Sequence, residues 1–310
     1  MHIKRIIFIY FTFFIISCGG NYSGNEGEMK KSLTFQTKSL MAVGDTGSIL
    51  TSDDGIIWDS ITSGTTANLN NVSFANNTLI IVGDSGSIMS SINYTSWRKH
   101  YHSLANYRST SFGKGNHVFV SNYGDIVSTN DWNSWKGAVC GDQYHFNDVV
   151  YDGSSFLAIG NIGIIFKTED ISSCTQITSG VSDHLYGIIF SNSKYIIVGR
   201  SGTILSSNDG ISWLTKNSGT SQDLNDVIYF NNIYVIVGVS GTILTSSDGD
   251  TWSSKNSGTS KDLYGITYGK NKFIAVGMEG TILTSTDTES WIKRSSGIIY
   301  SINDVTYKNN

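Results

Sequence analysis

Short runs of β-branched and aromatic residues recur along this chain, separated by Gly, Asn, Asp and Ser. One unit contains four such runs, at 224–229 (LNDVIY), 234–238 (YVIVG), 241–246 (GTILTS) and 251–256 (TWSSKN). Residues of these types favour extended strands, and the small polar residues between them favour tight turns. The pattern therefore predicts a repeating unit of four short strands.

Two series of positions give the length of this unit. The first has a member every 38 or 39 residues and comprises Trp58, Trp97, Trp135, Cys174, Trp213, Trp252 and Trp291. The second has the same spacing and comprises Phe35, Phe74, Phe112, Tyr151, Phe190, Tyr229, Tyr268 and Tyr307. Four strands in about 40 residues are typical of one blade of a β-propeller. A solenoid would need capping ends, and nothing in the sequence resembles a cap.

The two chain ends predict how the ring of blades closes. The first strand type occurs eight times, and the other three types occur seven times each. The extra copy is 302–307 (INDVTY), whereas the N-terminal copy at 32–35 is degenerate and polar. We expect 302–307 to pair with 40–43 as the innermost strand of the first blade, which removes a free sheet edge. The prediction is an all-β, seven-bladed β-propeller with four antiparallel strands per blade over residues 32–310.

The N-terminal segment has the layout of an export signal. Two basic residues precede a predominantly apolar run at 6–16, which is too short to cross a membrane core of about 30 Å. The run leads to Cys18 and resembles the lipobox of bacterial lipoproteins, in which the cysteine is acylated and the chain is cut before it. The resemblance implies a signal peptide at 1–17 and a lipidated Cys18 with a flexible tether at 18–31. It also implies a lipid-anchored protein of the bacterial cell envelope, facing the periplasm or the outer surface.

Composition narrows the classes of partner. The formal net charge is −4 at neutral pH, whereas a nucleic-acid-binding protein needs a basic face. We therefore expect no nucleic-acid partner, and contact with the membrane through the lipid only. Charged residues make up only 15% of the chain, compared with about a quarter in average proteins, which suits a protein of strands and turns outside the cytoplasm.

A Ser-x-Asp-Gly-x-x-Trp turn joins the third and fourth strands of the unit, for example at 52–58 and 207–213. An Asp carboxylate can accept hydrogen bonds from amides two residues further on and so close a turn. We expect this structural role for Asp54, Asp131, Asp170, Asp209, Asp248 and Asp287. The turn resembles the Asp-box, or BNR, repeat of bacterial propellers, although it is one residue tighter.

The whole unit, which combines V-G-x-x-G-x-I with S-x-D-G-x-x-W, resembles the photosystem II assembly and stability factor family. That resemblance covers residues 32–310. It implies a seven-bladed propeller that acts by holding a protein or peptide partner.

The face opposite the Asp-box turns carries the candidate binding site. The links between blades and the turns between strands two and three share this face, where propellers usually bind ligands over the channel mouth. The second residue of each innermost strand is expected there, namely Asn70, Arg108, Asn147, Tyr186, Asn225, Tyr264 and Asn303. A ring of amides and phenols suits a peptide strand or a sugar. The alternative is that Asn at this repeated position only caps the start of the strand.

Catalytic and metal-binding arrangements are not evident in the sequence. A sialidase-like hydrolase needs three convergent arginines, but Arg98 and Arg294 follow motif tryptophans on outermost strands. A retaining glycosidase needs two carboxylates about 5 Å apart, and Glu279 has no evident partner. His100 and His102 form a candidate metal pair without a further ligand nearby. We therefore expect no enzyme activity, no catalytic residue, no metal and no cofactor.

Cys140 and Cys174 are the two cysteines beyond the N-terminal segment. Export favours disulfide formation, but we expect these residues on opposite faces, one strand length or about 15 Å apart. A bridge needs Cα atoms within about 7 Å. The prediction is that no disulfide forms.

These observations favour a non-catalytic module that binds or scaffolds a protein or peptide. A surface carbohydrate-binding protein is the alternative, with the aromatic rings of Tyr186 and Tyr264 as stacking platforms. A sialidase-like glycoside hydrolase is the third and least favoured interpretation.

Overall fold

A computed structural model shows seven sheets arranged in a ring, and it describes residues 38–140 and 144–308. These residues form 28 strands in seven four-stranded antiparallel sheets. The predicted seven-bladed β-propeller is confirmed.

The strands of blades one to three are β1 (Leu40–Gly44), β2 (Ile49–Ser52), β3 (Asp59–Ile61), β4 (Leu69–Ala75), β5 (Thr78–Gly83), β6 (Ile88–Ser91), β7 (Arg98–His100), β8 (Tyr107–Gly113), β9 (Asn116–Ser121), β10 (Asp125–Thr129) and β11 (Lys136–Val139). Blades four and five contain β12 (Phe146–Tyr151), β13 (Phe156–Gly160), β14 (Ile164–Thr168), β15 (Thr175–Thr178), β16 (Leu185–Ser191), β17 (Lys194–Gly199), β18 (Ile204–Ser207) and β19 (Leu214–Lys216).

Blades six and seven contain β20 (Leu224–Phe230), β21 (Ile233–Gly238), β22 (Ile243–Ser246), β23 (Ser253–Lys255), β24 (Leu263–Gly269), β25 (Lys272–Gly277), β26 (Thr281–Ser285) and β27 (Ile292–Arg294), and the last strand is β28 (Ile302–Tyr307). Single 3₁₀ turns join the second and third strands of five blades, at Asp45–Gly47, Asn161–Gly163, Arg200–Gly202, Val239–Gly241 and Met278–Gly280.

The ring closes through the last strand. β28 pairs antiparallel with β1, with Leu40 opposite Tyr307 and Ala42 opposite Val305. The first sheet therefore has the order β28-β1-β2-β3, with the C-terminal strand innermost. This confirms the predicted closure, in which β28 covers the inner edge of β1 that would otherwise be free to pair with another molecule.

The hydrophobic core of the described residues is divided into seven clusters, each between two consecutive blades. Between blades four and five, for example, Leu157 and Ile165 pack against Leu185 and Ile197. The motif Trp213, immediately before β19, packs against the same cluster. Both faces of each inner sheet layer are therefore buried, which explains why the second and third strands read as nearly continuous apolar runs.

A disulfide joins Cys140, which follows β11, to Cys174, which precedes β15, with their Cα atoms 5.5 Å apart. The prediction of no bridge was wrong. It assumed that the two ends of each outermost strand lie at opposite faces of the ring, one strand length apart along the channel axis. Neighbouring strands in a sheet are rotated by about 20–25°, so the outermost strand of a blade is strongly inclined to the innermost. The end of β11 thus reaches the neighbouring blade, where Cys174 takes the place of the motif Trp that fills the gap between blades.

The predicted signal peptide at 1–17, the lipidated Cys18, the tether at 18–31 and the degenerate strand at 32–35 lie outside the described residues. Among residues 38–140 and 144–308, no helix has the length and apolar character needed to cross a membrane.

Candidate functional site

Each innermost strand contains a β-bulge close to the channel mouth. In β16, Leu185 pairs with Gly199 and Gly187 pairs with Val198, which leaves Tyr186 without a partner on β17. The same shift occurs in all seven blades, and the unpaired residues are Asn70, Arg108, Asn147, Tyr186, Asn225, Tyr264 and Asn303. A bulge releases one residue from the ladder and redirects its side chain. The ring expected from the sequence is thus a ring of bulged residues.

All seven bulged residues line one cavity of about 560 Å³ at the channel mouth. The cavity is also lined by Asp45, Asn68, Asp84, Asn122, His145 and Asn161. A narrower section of about 110 Å³ lies along the same residues and those that follow them in sequence, including Asp148, Asp226 and Asp304. The channel therefore narrows from a polar mouth to an acidic throat.

The Gly-x-x-Gly turns are held against this mouth. Gly199 has extended backbone, φ −169°, and a Cβ atom there would overlap the carbonyl oxygen of His184. The same oxygen accepts a hydrogen bond from the Arg200 amide (2.8 Å). Gly202 has φ +75°, a left-handed conformation that favours glycine. The first glycine therefore permits a close approach, and the second permits the turn.

The four asparagines of the ring fasten neighbouring blades together. The Nδ2 atoms of Asn147 and Asn225 donate to the main-chain oxygens of the next innermost strand, at Leu185 and Leu263 (2.7 Å each). Asn70 and Asn303 make the equivalent bonds, of 2.8 and 3.0 Å. These carbonyl oxygens face the channel, and the bulge deprives them of hydrogen-bond partners in the strand ladder. The asparagine amides take the place of those partners.

Arg108, Tyr186 and Tyr264 stand where the other blades have Asn, and they are held more loosely. Arg108 Nη1 lies 3.9 Å from the Asp84 carboxylate, and the Tyr186 hydroxyl donates to Asp223 over 3.4 Å. Within the described part of the chain, the Tyr264 hydroxyl makes no hydrogen bond. These three side chains are the members of the ring that are free to contact a ligand.

Three carboxylates form a second layer beneath the asparagines. Asp148 Oδ2 accepts from the Ile188 amide (2.8 Å) and Asp226 Oδ2 from the Ile266 amide (2.8 Å). Asp304 Oδ2 makes the equivalent bond with the Val72 amide, 2.9 Å. Each bond crosses to the innermost strand of the next blade. We did not expect this layer, although the repeated segments FNDVVY, LNDVIY and INDVTY contain its signal, an Asp in an otherwise apolar innermost strand.

Burial raises the pKa of these carboxyls, because the throat has room for only a few water molecules. The pKa of Asp148 rises to about 6 and that of Asp226 to about 7. For Asp304, burial and then the charge on Asp226 place the pKa well above its ordinary value. The three groups therefore titrate as a coupled set, and the throat gains negative charge as the pH increases.

The six Asp-box carboxylates lie on the opposite face and accept hydrogen bonds from their own turns. Asp209 Oδ1 accepts from the amides of Ile211 and Ser212, at 2.8 and 2.7 Å. Asp54, Asp131, Asp248 and Asp287 each accept two equivalent amides, and Asp170 accepts that of Ser172. These bonds hold the pKa of the Asp209 and Asp248 carboxyls below the ordinary value. These Asp side chains therefore close their own turns, and they lie away from the channel mouth.

The two candidate histidines point to different partners. His100 Nε2 lies 2.7 Å from the Ser90 hydroxyl, and its ring stacks on Trp132. His102 Nδ1 lies 3.0 Å from the Tyr107 hydroxyl. In the residues that the structure describes, no group of three His, Cys, Asp or Glu side chains has the arrangement of a metal site.

Comparisons with known proteins give no match among family models or curated proteins, but solved structures are similar. A structure of YCF48 bound to a D1 peptide has a TM-score of 0.62 and 18% identity over 84% of this chain and 85% of that chain. YCF48 from Cyanidioschyzon merolae has a TM-score of 0.59 and 13% identity over 73% of this chain and 84% of that chain.

The computationally designed Ika8 protein has a TM-score of 0.63 and 12% identity over 88% of this chain and 92% of that chain. At these identities the similarity shows the fold, and function has to be argued from the site. YCF48 is a photosystem II assembly factor, so two of these neighbours agree with the resemblance drawn from the repeat unit.

The raised pKa of Asp226 predicts how stability depends on pH. The carboxyl has a pKa of about 7 in the folded chain and about 3.9 in the unfolded chain. The folded chain therefore binds more protons than the unfolded chain in this window, and stability falls as the pH rises from about 4 to about 7. Asp226→Asn cannot ionise, so its melting temperature should fall less than that of wild type between about pH 5 and pH 8.

Thermal unfolding of both chains across this range measures the difference. His100 and His117, whose pKa values burial lowers to about 4, titrate in both chains and cancel in the comparison. The exposed Glu169→Gln variant is the control and should follow wild type. Parallel curves for wild type and Asp226→Asn would show that this carboxylate is not held at a raised pKa.

Proposed function

We propose that this protein is a non-catalytic, lipid-anchored module of the bacterial cell envelope that holds a peptide segment of a partner protein over the channel mouth. The observation that carries the proposal is the convergence of seven bulged residues on one cavity. Its volume of about 560 Å³ lies within the usual range of ligand sites, about 300–1,000 Å³.

The chemistry of the mouth suits a polar, extended peptide. A bound peptide strand needs partners for its own amides and carbonyls, and the rim supplies side-chain amides, two phenols and one guanidinium. A solved propeller of similar fold, YCF48, is described with a bound D1 peptide. The absence of catalysis is also part of the proposal, and it is supported by the character of the YCF48 neighbours, which are assembly factors rather than enzymes.

The cell-envelope location has two supports. One is the resemblance of the segment around Cys18 to a lipobox. The other is the bridge between Cys140 and Cys174, since disulfides persist in oxidising compartments outside the cytoplasm. We therefore place the propeller on the exported side of the membrane.

Removing the three free side chains of the ring should abolish binding. In the triple variant Arg108→Ala, Tyr186→Ala, Tyr264→Ala, the four asparagine bridges remain, so the blades stay joined. We expect wild type to capture a protein from envelope extract and the triple variant to lose at least about 90% of that capture, in line with truncation of central contact residues. Affinity purification with mass spectrometry measures this.

The matched control is Ile57→Ala, Ile92→Ala, Ile211→Ala, which truncates three exposed residues in the Asp-box turns of the opposite face. It should capture as much protein as wild type. Equal capture by wild type and the mouth variant would remove the mouth as the site. Capture of glycans rather than protein would favour the carbohydrate alternative, in which Tyr186 and Tyr264 stack on sugar rings.

The lipid anchor predicts that Cys18→Ser loses acylation. In a bacterial host supplied with labelled palmitate, the wild-type chain should carry label and sediment with membranes, whereas Cys18→Ser should do neither. The double variant Cys140→Ser, Cys174→Ser should keep its label, because the predicted acylation is at Cys18 alone. Label retained by Cys18→Ser would contradict the anchor.

A further inference from the structure

We propose that a groove between blades two and three, on the Asp-box face, binds a sugar residue that carries a carboxylate. This blade-two groove has a volume of about 500 Å³, within the usual range of ligand sites. It is separate from the channel mouth, so the inference does not depend on the proposed function. It follows from a comparison of this junction with the equivalent positions in other blades of the same chain.

The walls of the blade-two groove combine indole rings with hydroxyl groups. Ile92 and Trp97 of blade two and Trp132 of blade three line it. The other neutral lining residues have hydroxyl or amide groups, namely Thr78, Ser90, Ser91, Asn93 and Ser96. A sugar ring has apolar C–H faces and a rim of hydroxyl groups, so it needs an aromatic wall together with neutral hydrogen-bond partners.

Arg98 supplies a positive charge that has no partner in the protein. Its side chain lines the groove, and within residues 38–140 and 144–308 it makes no salt bridge or side-chain hydrogen bond. None of the described residues that line the groove is acidic. In the neighbouring Asp-box, the Asp131 carboxylate accepts from the amides of Asn133 and Ser134, at 2.9 and 2.7 Å. A guanidinium can bind a carboxylate through two parallel hydrogen bonds, so Arg98 suits an anionic ligand.

The equivalent groove between blades five and six has its charges paired. Lys194 and Lys216 line that groove, and both bind the Asp250 carboxylate, at 2.7 and 2.6 Å. In blade two, Thr78 and His100 stand at the positions of these two lysines. The chain's own ion pairs therefore occupy the groove between blades five and six, whereas the described residues that line the blade-two groove form none.

The Asp-box of blade two has lost its carboxylate. Asn93 stands where the other six blades have the turn-closing Asp. Its Oδ1 atom accepts from the amides of Thr95 and Ser96, at 3.1 and 2.9 Å. Closure of the turn therefore requires the acceptor oxygen and not the charge. The exchange of Asp for Asn removes from the groove a negative charge that would repel an anion.

Trp132 has a backbone conformation that favours glycine. Its φ is +64°, which is strained for a bulky residue, and blades one, five and six have Gly at this position. Three further blades have Tyr94, Ile171 and Thr288 there, and these side chains are buried. Trp132 is only half-buried and lines the groove. The strain at Trp132 therefore places an aromatic ring at a surface groove, whereas in the other three blades the side chain fills the core.

The imidazole rings of His100 and His117 hold this indole in position. They stack on Trp132 with ring centroids 4.0 and 4.9 Å away. Burial lowers the pKa of both histidines to about 4, so they carry no charge near neutral pH. The aromatic wall is therefore fixed before a ligand arrives, which reduces the entropy lost on binding.

An array of acidic and neutral oligosaccharides tests this inference with the full-length chain. The probes are oligosaccharides of hexuronic acids and sialic acids, the methyl esters of the same compounds, and neutral oligosaccharides of glucose and galactose. We expect binding to members of the acidic set and not to the methyl esters or the neutral set. Because the pair is solvent-accessible, added salt should weaken the binding.

Two variants then locate the site by isothermal titration calorimetry. Asn93→Asp restores the carboxylate of the other Asp-boxes and keeps the turn acceptor, so its melting temperature should not fall. The Kd of the best acidic oligosaccharide should nevertheless rise about tenfold, and Arg98→Gln should raise it by a similar factor, as expected for loss of a charged hydrogen bond. Lys136→Gln removes the exposed charge at the equivalent position of blade three and should leave the Kd unchanged.

The mouth variant Arg108→Ala, Tyr186→Ala, Tyr264→Ala should bind the same oligosaccharide as tightly as wild type. Loss of binding in that variant would place the sugar at the channel mouth and overturn the inference. Equal Kd values for wild type, Asn93→Asp and Arg98→Gln would also overturn it, as would equal binding of the methyl esters or no binding of any acidic oligosaccharide. Capture of a protein partner is measured separately, so these results leave the proposed function intact.

Discussion

Asn and Asp side chains form hydrogen bonds to the main chain of the neighbouring innermost strand at four of the seven blade junctions, and these bonds hold the ring together where it is narrowest. At larger radius, apolar clusters fill the gaps between blades. Near the axis there is no room for such clusters, and polar main-chain groups face the channel. Asparagine amides and Asp carboxylates bridge the blades there. Each such bond contributes only about 1 kcal/mol net, but an unmet main-chain group would cost more, so the bulged strands depend on them.

The bridges are arranged in alternation. Blades two, four and six donate an Asn to blades three, five and seven, and these receiving blades have Arg108, Tyr186 or Tyr264 in its place. The residue after the bulge in a receiving blade is small, as in Gly187 and Gly265, which leaves space for close contact with the next strand. Arg108, Tyr186 and Tyr264 are therefore the positions of the mouth that the asparagine bridges leave free.

Seven is an odd number, so strict alternation must fail once. It fails between blade one, closed by the C-terminal strand, and blade two, where both blades carry the donating pattern. Asn71 stands in blade two where the other donating blades have Asp, and its Nδ2 donates to Asp304 Oδ2 (2.7 Å). An Asp there would place two carboxylates in contact. The substitution leaves Asn71 Oδ1 buried and without a partner in the described residues, which marks this junction as the irregular one.

Much of this architecture follows from the sequence, because a period of 38 or 39 residues over four strand-like runs allows few folds. The surplus copy INDVTY is sufficient to predict the closure, and the alternation of strand directions is sufficient to place Tyr186 and Tyr264 on one face. The bulge could not be predicted from the sequence, because it depends on the pairing register between strands. Without the bulge, the asparagines that bridge the blades cannot be distinguished from Arg108, Tyr186 and Tyr264, which form no such bridge. The disulfide was missed because blade twist changes which strand ends meet.

Site-specific photo-crosslinking in living cells tests the central claim most directly. A photoreactive phenylalanine analogue would replace Tyr186 or Tyr264 at the mouth and, in separate chains, the exposed Ile57 or Ile211 on the opposite face. Binding at the channel mouth predicts a discrete crosslinked partner from the two mouth positions and none from the other two. Crosslinks from Ile57 or Ile211, with none from Tyr186 and Tyr264, would contradict it.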